Sequence, residues 1–229
     1  MIFAGNFKTN HTRGTTKEYI DALNQKIESN PTDNSIYIFP PSTALDSYES
    51  SATIGTQNCY PAQNGAYTGE IGVEQLDEFG IDTILIGHSE RREYMYETQE
   101  VIANKFEFFK NRGFEIIYCI GEPLEVREEG QEAVVAYLLA QFDGIDTKYD
   151  NLIVAYEPIW AIGTGRSATV AEISSTHKAL KEIVNRPLLY GGSAKPSNIK
   201  DIISIDGVDG VLIGSASLVV DSFYEMVTS

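Results

Sequence analysis

The stretch that decides the fold is NLIVAYE, residues 151–157, in which an uninterrupted apolar and aromatic run ends at one acidic residue, Glu157. A strand with one face in water alternates polar and apolar residues, whereas a continuous run indicates a strand buried on both faces, as in a parallel sheet. Pro158 follows at once, and proline cannot donate to the hydrogen-bond ladder of a sheet. The pattern therefore predicts a buried parallel strand with a carboxylate at its C-terminal end.

Seven further runs have the same character, and each is bounded by Gly, Pro or polar residues. They are IFAGNF (2–7), SIYIFP (35–40), ATIGTQN (52–58), DTILIGH (82–88), FEIIYCI (114–120), PLLYGG (187–192) and DGVLIG (209–214). The segments between them have helical patterns, strongest over 15–28, 98–112, 128–142 and 169–185, and weaker over 43–50, 72–79 and 196–204.

Two of the helices have recognisable start signals. Thr15 and Glu18 are spaced as a capping box, as are Thr169 and Glu172. Each helix also has one apolar face at helical spacing. The faces are Ile20, Leu23 and Ile27 in the first, and Val170, Ile173, Leu180 and Val184 in the second.

Eight strands that alternate with helices, with no Pro-, Gly- or Ser-rich linker between halves, predict an α/β fold. We expect a (β/α)₈ TIM barrel that forms a single domain over 1–229, with eight parallel strands. The alternative is an open doubly wound sheet. It lacks support because no Gly-x-Gly-x-x-Gly motif follows the first strand.

Composition restricts the partners. The 17 basic and 33 acidic residues give a net charge of −16, which argues against nucleic-acid binding. Two cysteines, Cys59 and Cys119, make no disulfide framework. The N-terminal residues do not resemble a signal peptide, and no run approaches the roughly 18 apolar residues of a membrane helix. We expect a soluble cytoplasmic protein with no membrane association.

In a barrel of this kind, the C-terminal ends of the strands build the active site. The residues at those ends are Asn6, Lys8, His88, Glu157, Gly191-Gly192-Ser193 and Gly214-Ser215. Each has an ordinary interpretation as a solvated charge, a structural imidazole or a plain turn. Together they indicate a catalytic rim.

The chemistry of three of these residues can be predicted separately. Burial would raise the pKa of Glu157 and make it a better base for abstracting a proton beside a carbonyl. His88 precedes the helical segment SERRE, so the helix N-terminus should favour a neutral ring that donates a hydrogen bond. Lys8 would supply fixed positive charge.

The other two histidines have weaker signals. His177 lies on the apolar stripe of helix 169–185, so we predict a packing role, and His11 lies in a polar loop and receives no role. Three histidines without clustered spacing argue against a His-rich metal site. We therefore predict no metal.

Two glycine-containing turns and one long loop complete the candidate features. The turns YGGS (190–193) and IGSAS (213–217) each end a strand before a predicted helix, and such turns can present backbone N–H groups to a phosphate. The loop at 59–70, CYPAQNGAYTGE, is too long for a tight turn. Its aromatic residues suggest an oligomer contact.

The motifs taken together resemble the triosephosphate isomerase family along the whole chain. They are GNFK (5–8), QNCY (57–60), GAYTGE (65–70), IGHSERR (86–92), CIGE (119–122), YEPIWAIGTG (156–165), YGGS (190–193) and the final IGSASL. The resemblance implies a (β/α)₈ barrel and a homodimer joined through loop 59–70. It also implies interconversion of dihydroxyacetone phosphate and D-glyceraldehyde 3-phosphate through an enediolate, without a cofactor or a metal.

The same resemblance assigns the reacting groups. Glu157 would be the base that moves the proton between two substrate carbons, and His88 the neutral electrophile. Asn6 and Lys8 would bind substrate, and Lys8 would stabilise the enediolate. Glu90 would pair with Lys8.

Binding and assembly residues follow from the resemblance as well. Thr68 would reach the partner's site and hold the partner's Asn6 and Lys8. The predicted phosphate donors are the backbone N–H groups of Gly163, Ser193, Gly214 and Ser215. The predicted lid consists of Pro158, Ile159, Trp160, Ala161, Ile162, Gly163, Thr164, Gly165, Arg166, Ser167 and Ala168.

Some positions depart from the family pattern. Ser215 stands where the family commonly has a second glycine, which restricts the backbone there. The lid ends in Arg166-Ser167-Ala168 rather than Lys-Thr-Ala, and segment 169–189 is short. Two alternative functions stay open, namely another phosphate-binding barrel such as a metal-dependent sugar-phosphate isomerase or epimerase, and a non-catalytic barrel scaffold.

Overall fold

A computed structural model describes residues 1–162 and 167–229. Within these residues the chain forms eight strands, each within or near a predicted run. They are β1 (Ile2–Asn6), β2 (Ser35–Phe39), β3 (Thr53–Ile54), β4 (Thr83–Ile86), β5 (Glu115–Ile120), β6 (Leu152–Tyr156), β7 (Leu188–Tyr190) and β8 (Gly210–Ile213).

The strands make one parallel sheet in the order β3-β2-β1-β8-β7-β6-β5-β4. The sheet closes on itself through a bridge between Thr56 and Ile84. Thr56 N donates to Thr83 O at 2.9 Å, and Leu85 N donates to Thr56 O at 3.0 Å. The predicted (β/α)₈ barrel is therefore confirmed in preference to the open sheet.

Helices surround the barrel in the described part of the chain. They are α1 (Arg13–Ser29), α2 (Val73–Phe79), α3 (Ser89–Tyr94), α4 (Gln99–Lys110), α5 (Leu124–Glu128), α6 (Gln131–Ala140), α7 (Val170–Lys181), α8 (Ile199–Ile203) and α9 (Val220–Val227). Three short 3₁₀ turns cover Ser42–Ala44, Ile159–Ala161 and Ser215–Ser217.

Strand β6 shows why its sequence is continuously apolar. Ile153 and Ala155 belong to the cluster that fills the barrel interior. The alternating residues Leu152, Val154 and Tyr156 belong to the larger cluster between the sheet and the helices. Both faces of the strand are buried, as parallel strands covered by helices require.

The capping box predicted at Thr15 and Glu18 is wrong. Helix α1 begins at Arg13, its N-cap is Thr12, and Thr12 and Thr15 cap each other's backbone N–H groups. The hydroxyl of Thr15 thus does what a glutamate usually does at the third helical position. The apolar face is confirmed, since Ile20 and Leu23 are buried and Ile27 packs against the core.

Helix α7 begins as predicted. Thr169 is its N-cap, and the capping box with Glu172 is present. Ile173, Leu180 and Val184 are buried, but Val170 is 52% exposed. Including Val170 in the buried stripe was therefore wrong, because the covered part of this face begins one turn later.

Two helix boundaries also differ from prediction. The helix predicted over 128–142 is present as α6 but begins at Gln131, and the short helix α5 before it was not predicted. Helices α5 and α6 are separated at Gly130, whose φ of 102° lies in a region that glycine tolerates best. The weak helix predicted over 43–50 is only the 3₁₀ turn Ser42–Ala44.

Candidate active site

A pocket of about 270 Å³ opens at the C-terminal ends of the strands. It brings together the predicted residues that follow β1, β4, β6, β7 and β8. The lining residues are Asn6, Lys8, His88, Glu157, Ile162, Gly191, Gly192, Ser193, Ala194, Lys195, Leu212, Gly214, Ser215 and Ala216. The Glu157 carboxylate, the His88 imidazole and the Lys8 amine thus share one cavity.

Glu157 is only 2% exposed, directly after β6. Its Oε1 lies 3.0 Å from His88 Nε2, and its Oε2 accepts a hydrogen bond from Ser89 N at 2.9 Å. Burial alone would raise the pKa of Glu157, but the contacts with His88 and Ser89 N–H outweigh burial and lower it. The expected upward shift was therefore wrong for this arrangement of the pocket.

His88 is the N-cap of helix α3 and is 6% exposed. Its Nδ1 accepts a hydrogen bond from Glu90 N at 3.3 Å, so the ring proton belongs on Nε2, which faces Glu157. This bonding pattern is that of the neutral tautomer, because a protonated Nδ1 has no lone pair to accept with. Burial lowers the pKa of His88, yet the Glu157 carboxylate reverses that effect and raises it overall.

Lys8 has a backbone φ of 52°, in the left-handed region that non-glycine residues seldom adopt. Its N donates to Asn6 Oδ1 at 3.0 Å, and its O accepts from Gln57 Nε2 at 2.9 Å. The Lys8 amine donates to Glu90 Oε1 at 2.6 Å. Hydrogen bonds to the backbone N–H and C=O of Lys8 thus hold this strained residue in place, and its amine lies at the pocket rim.

The two glycine-containing turns line the pocket, and the YGGS turn adjoins Glu157, since a Cβ built on Gly191 would lie 2.9 Å from Glu157 Cγ. A Cβ built on Gly214 would lie 3.7 Å from Lys8 Nζ, so the amine adjoins this turn. Ser215 begins a 3₁₀ turn and has no positive φ, so serine fits where the family commonly has glycine. After the YGGS turn, α8 begins at Ile199, within the weak helix predicted over 196–204.

The first half of the predicted lid packs on a buried carboxylate. Pro158 is followed by the 3₁₀ turn Ile159–Ala161, and the Ser193 hydroxyl donates to Ala161 O at 2.6 Å. Trp160 Nε1 donates to Glu122 Oε1 at 2.9 Å. Gly163, Thr164, Gly165 and Arg166 lie outside the described residues, so their predicted roles stay predictions.

Glu122 is a residue whose importance the sequence analysis missed. It is fully buried, and its Oε1 accepts hydrogen bonds from Arg127 Nε at 2.9 Å and from Tyr156 OH at 3.1 Å, besides Trp160. The Arg127 guanidinium lies 5.7 Å from the Trp160 ring centre. The available signal was the CIGE motif, in which a second glutamate follows a buried strand.

Loop 59–70 is arranged around two aromatic rings. The Tyr60 and Tyr67 ring centres are 4.2 Å apart, and Tyr67 is 44% exposed. Thr68 is exposed at the tip of this loop and does not line the pocket of its own chain. The structure contains one chain, so the reach of Thr68 into a partner stays a prediction.

The remaining histidines are held by backbone carbonyls. His177 is fully buried with Nδ1 3.1 Å from Gly207 O, and burial lowers its pKa to about 4. The predicted packing role is confirmed. His11 Nε2 lies 3.1 Å from Leu218 O, and its ring packs 4.7 Å from that of Phe7.

Two features are absent from residues 1–162 and 167–229. No helix there is long and apolar enough to cross a membrane. In the same residues, no group of three or more His, Cys, Asp or Glu side chains is placed to hold a metal ion.

Comparisons with known proteins agree with the geometry. A family model described as "TIM: Triosephosphate isomerase" matches residues 1–229. The chain is 64% identical over 227 residues to a triosephosphate isomerase of a Sulfurovum species, with 99% of each chain covered. It is 55% identical over 227 residues to that of a Nitratiruptor species, with 99% and 97% covered. It is 52% identical over 226 residues to that of Sulfurimonas denitrificans, with 99% and 94% covered.

Proposed function

Because the chain belongs to the triosephosphate isomerase family, we propose that its pocket interconverts dihydroxyacetone phosphate and D-glyceraldehyde 3-phosphate through an enediolate. The observation on which this rests is the direct contact of a buried carboxylate with a buried imidazole, Glu157 and His88, beside the Lys8 amine. Proton abstraction next to a carbonyl needs a base, a donor to the carbonyl oxygen and a positive charge for the enediolate.

Glu157 is the base. In the structure it is bonded to His88 and Ser89 N, so substrate must replace these contacts before the carboxylate can reach a substrate carbon. Once the His88 contact is lost, burial dominates, and the pKa of Glu157 rises. The carboxylate then takes the proton from the carbon beside the carbonyl and returns it to the adjacent carbon.

His88 and Lys8 handle the developing charge on oxygen. The Nε2–H of His88 donates to the substrate oxygens, while Nδ1 stays bonded to Glu90 N. Lys8 stabilises the enediolate electrostatically, and Asn6 fixes both the Lys8 backbone and the substrate. Glu90 holds the amine in place between turnovers.

The phosphate binds at the two glycine-containing turns. The supporting observation is that Ser193, Gly214 and Ser215 line the pocket, and that Gly214 adjoins the Lys8 amine. The first N–H groups of a helical turn have no carbonyl partner within that turn, so they suit an anion. We include Gly163 as a further donor and residues 158–168 as a lid that keeps water from the enediolate.

The direct test is to incubate the purified chain with dihydroxyacetone phosphate in D₂O and to monitor the products by proton NMR. We expect glyceraldehyde 3-phosphate that carries solvent deuterium at C2, because a carboxylate base exchanges its proton with solvent. Activity should persist in EDTA. Turnover abolished by the chelator would favour the metal-dependent epimerase, and the lack of any turnover would favour the scaffold.

We also propose a homodimer joined through loop 59–70. The exposed Tyr67, next to Thr68 at the loop tip, supports this surface, since aromatic residues are enriched in interfaces. Sedimentation equilibrium should give twice the chain mass, and Tyr67→Asp should give the single-chain mass with reduced kcat. A wild-type chain that sediments as a monomer at micromolar concentration would contradict the proposal.

Finally, we propose that the reaction serves glycolysis and gluconeogenesis in the cytoplasm. The supporting observation is that Cys59 and Cys119 are both buried free thiols, which suits a reducing compartment. Fractionation of the source cells, with the chain detected by antibody, is the test. Recovery in an extracellular or periplasmic fraction would contradict this setting.

A further inference from the structure

We propose that Gln141 is a positioning residue for Glu157, an inference that rests on the proposed role of Glu157 as the base. Gln141 follows helix α6 and is 9% exposed. Its Oε1 accepts a hydrogen bond from Gly121 N at 3.1 Å, and its Nε2 donates to Gly121 O at 2.8 Å. Both polar groups of one buried side chain therefore bind the backbone of one glycine.

Gly121 is in direct contact with the catalytic strand end. A Cβ built on Gly121 would lie 2.0 Å from Glu157 O and 3.2 Å from Glu157 Cβ. On either side of Gly121, Glu157 N donates to Ile120 O at 2.7 Å, and Ile159 N donates to Glu122 O at 3.1 Å. The backbone that bears the base thus rests on the end of β5.

Gln141 is itself held firmly. Its backbone O accepts hydrogen bonds from Gln99 Nε2 at 2.8 Å and from the hydroxyl of Tyr118, a residue in β5. The Tyr118 hydroxyl also accepts from Arg92 Nη2 at 3.1 Å. The backbone of Gln141 is therefore immobilised, and its side-chain amide binds Gly121 from a fixed position.

The role is indirect, because Gln141 does not line the pocket. Gly121 has no side chain that could be locked by packing, so hydrogen bonds must fix its peptide. A displaced Gly121 would let the Glu157 backbone move, and proton transfer requires reacting atoms within a narrow range of separation. The competing interpretation is that Gln141 only attaches α6 to the sheet.

Gln141→Met is the variant that separates the two interpretations, since it keeps the length of the side chain and removes both hydrogen bonds. We expect kcat to fall about tenfold with KM within about twofold of wild type, because geometry rather than binding is disturbed. The primary isotope effect on glyceraldehyde 3-phosphate deuterated at C2 should increase, because proton transfer becomes slower than the other steps.

Tyr149→Phe is the matched control. The Tyr149 hydroxyl donates to Phe114 O at 2.7 Å, so it also anchors β5, but at the opposite end of the strand. We expect this control to lower Tm without changing kcat or the isotope effect. A Gln141→Met enzyme with wild-type kcat, or with a lower kcat and an unchanged isotope effect, would overturn the positioning role.

Gln141→Glu covers the case in which the methionine variant does not fold. Its protonated carboxyl group can donate to Gly121 O, whereas the ionised form cannot, and burial should raise the pKa of that group. We therefore expect its kcat, relative to wild type, to rise as the pH falls, and a constant ratio would contradict the inference. If the wild-type chain has no isomerase activity, the proposed function itself is wrong. If the wild type is active and the variants are unaffected, only the role of Gln141 is wrong.

Discussion

Two glutamates follow neighbouring strands of the barrel and have different surroundings. Glu157 comes directly after β6 and Glu122 two residues after β5, and they are 2% and 0% exposed. Glu157 contacts His88 and the N–H of Ser89, and it lines the pocket. Glu122 does not line the pocket and is bound by Arg127, Tyr156 and Trp160.

Burial at a strand end does not by itself leave a carboxylate free to act as a base. Arginine is a permanent cation with a fixed fork of donors, so it holds Glu122 in one place. Imidazole can gain or lose its charge near physiological pH, and its N–H can turn to donate to another oxygen. The partner, rather than the carboxylate or its burial, therefore decides which glutamate is available to react.

The largest effect should come from exchanging the carboxylates for amides one at a time. Glu157→Gln removes the proposed base, and we expect kcat to fall about 10³-fold, within the usual range for general base catalysis. Glu122→Gln should stay within about tenfold of wild-type kcat, because that group contacts no reacting atom. Kinetics in a coupled assay, with circular dichroism to verify folding, measure both. Similar losses of kcat in the two variants would contradict the different roles given to Glu157 and Glu122.

The next effect concerns stability. Arg127→Met leaves the Glu122 carboxylate buried without its cation, and we expect the free energy of unfolding to fall by about 3–5 kcal/mol. Urea denaturation measures the change. Lys17→Met, which breaks the exposed pair with Asp21, is the control and should cause no comparable loss. If both variants unfold at the same urea concentration, the Arg127 cation does not stabilise the fold by compensating the buried Glu122 carboxylate.

A third buried group, His177, provides a reference because it contacts neither carboxylate. Burial lowers its pKa from 6.5 to about 4, with Gly207 O opposing the shift. Between these values the unfolded chain binds a proton that the folded chain does not. The contribution of His177 to the free energy of unfolding is therefore fully present above pH 6.5. It decreases as the pH falls from 6.5 to 4, by about 3 kcal/mol in total.

The variant that tests this dependence is His177→Asn, because its side-chain amide nitrogen lies near the position of the imidazole Nδ1 and can still donate to Gly207 O. We expect the free energy of unfolding of the variant to depend less steeply on pH between 4 and 6.5 than that of wild type. Denaturation at a series of pH values gives the two slopes. Equal slopes would mean that other groups produce the acid sensitivity.

The smallest effect should come from Trp160→Phe. The change removes the hydrogen bond from Nε1 to Glu122, while Arg127 and Tyr156 keep theirs. We expect a loss of about 1 kcal/mol in the free energy of unfolding, as for one neutral donor removed from a bonded group. Urea denaturation is again the measurement. A loss as large as that of Arg127→Met would show that the indole, not the guanidinium, secures Glu122.

The sequence predicted the barrel and most of the pocket because both depend on a local pattern. Each buried strand is a continuous apolar run, and the residue that ends it lies on the rim whatever the details of packing. His88 and Glu157 could be placed in one pocket for that reason.

What the sequence could not predict depends on contacts between distant segments. The lowered pKa of Glu157 results from His88 and Ser89, which are remote in sequence. Gln141 is an ordinary polar residue at a helix end until the fold brings it to Gly121. The start of α1 was missed for a local reason, because two threonines there cap each other.

The closure of the barrel has a consequence of its own. Strand β3 has two residues, and β4 meets this side of the ring through the bridge at Thr56. Opening at that joint would turn β4 into an edge with unpaired amides, which is the feature that lets proteins aggregate by strand pairing. Amide hydrogens such as that of Leu85 should therefore exchange with D₂O before those in the β5–β6 ladder. Loop 59–70 begins just beyond Thr56, so we expect a contact that immobilises this loop to stabilise the bridge at Thr56 as well.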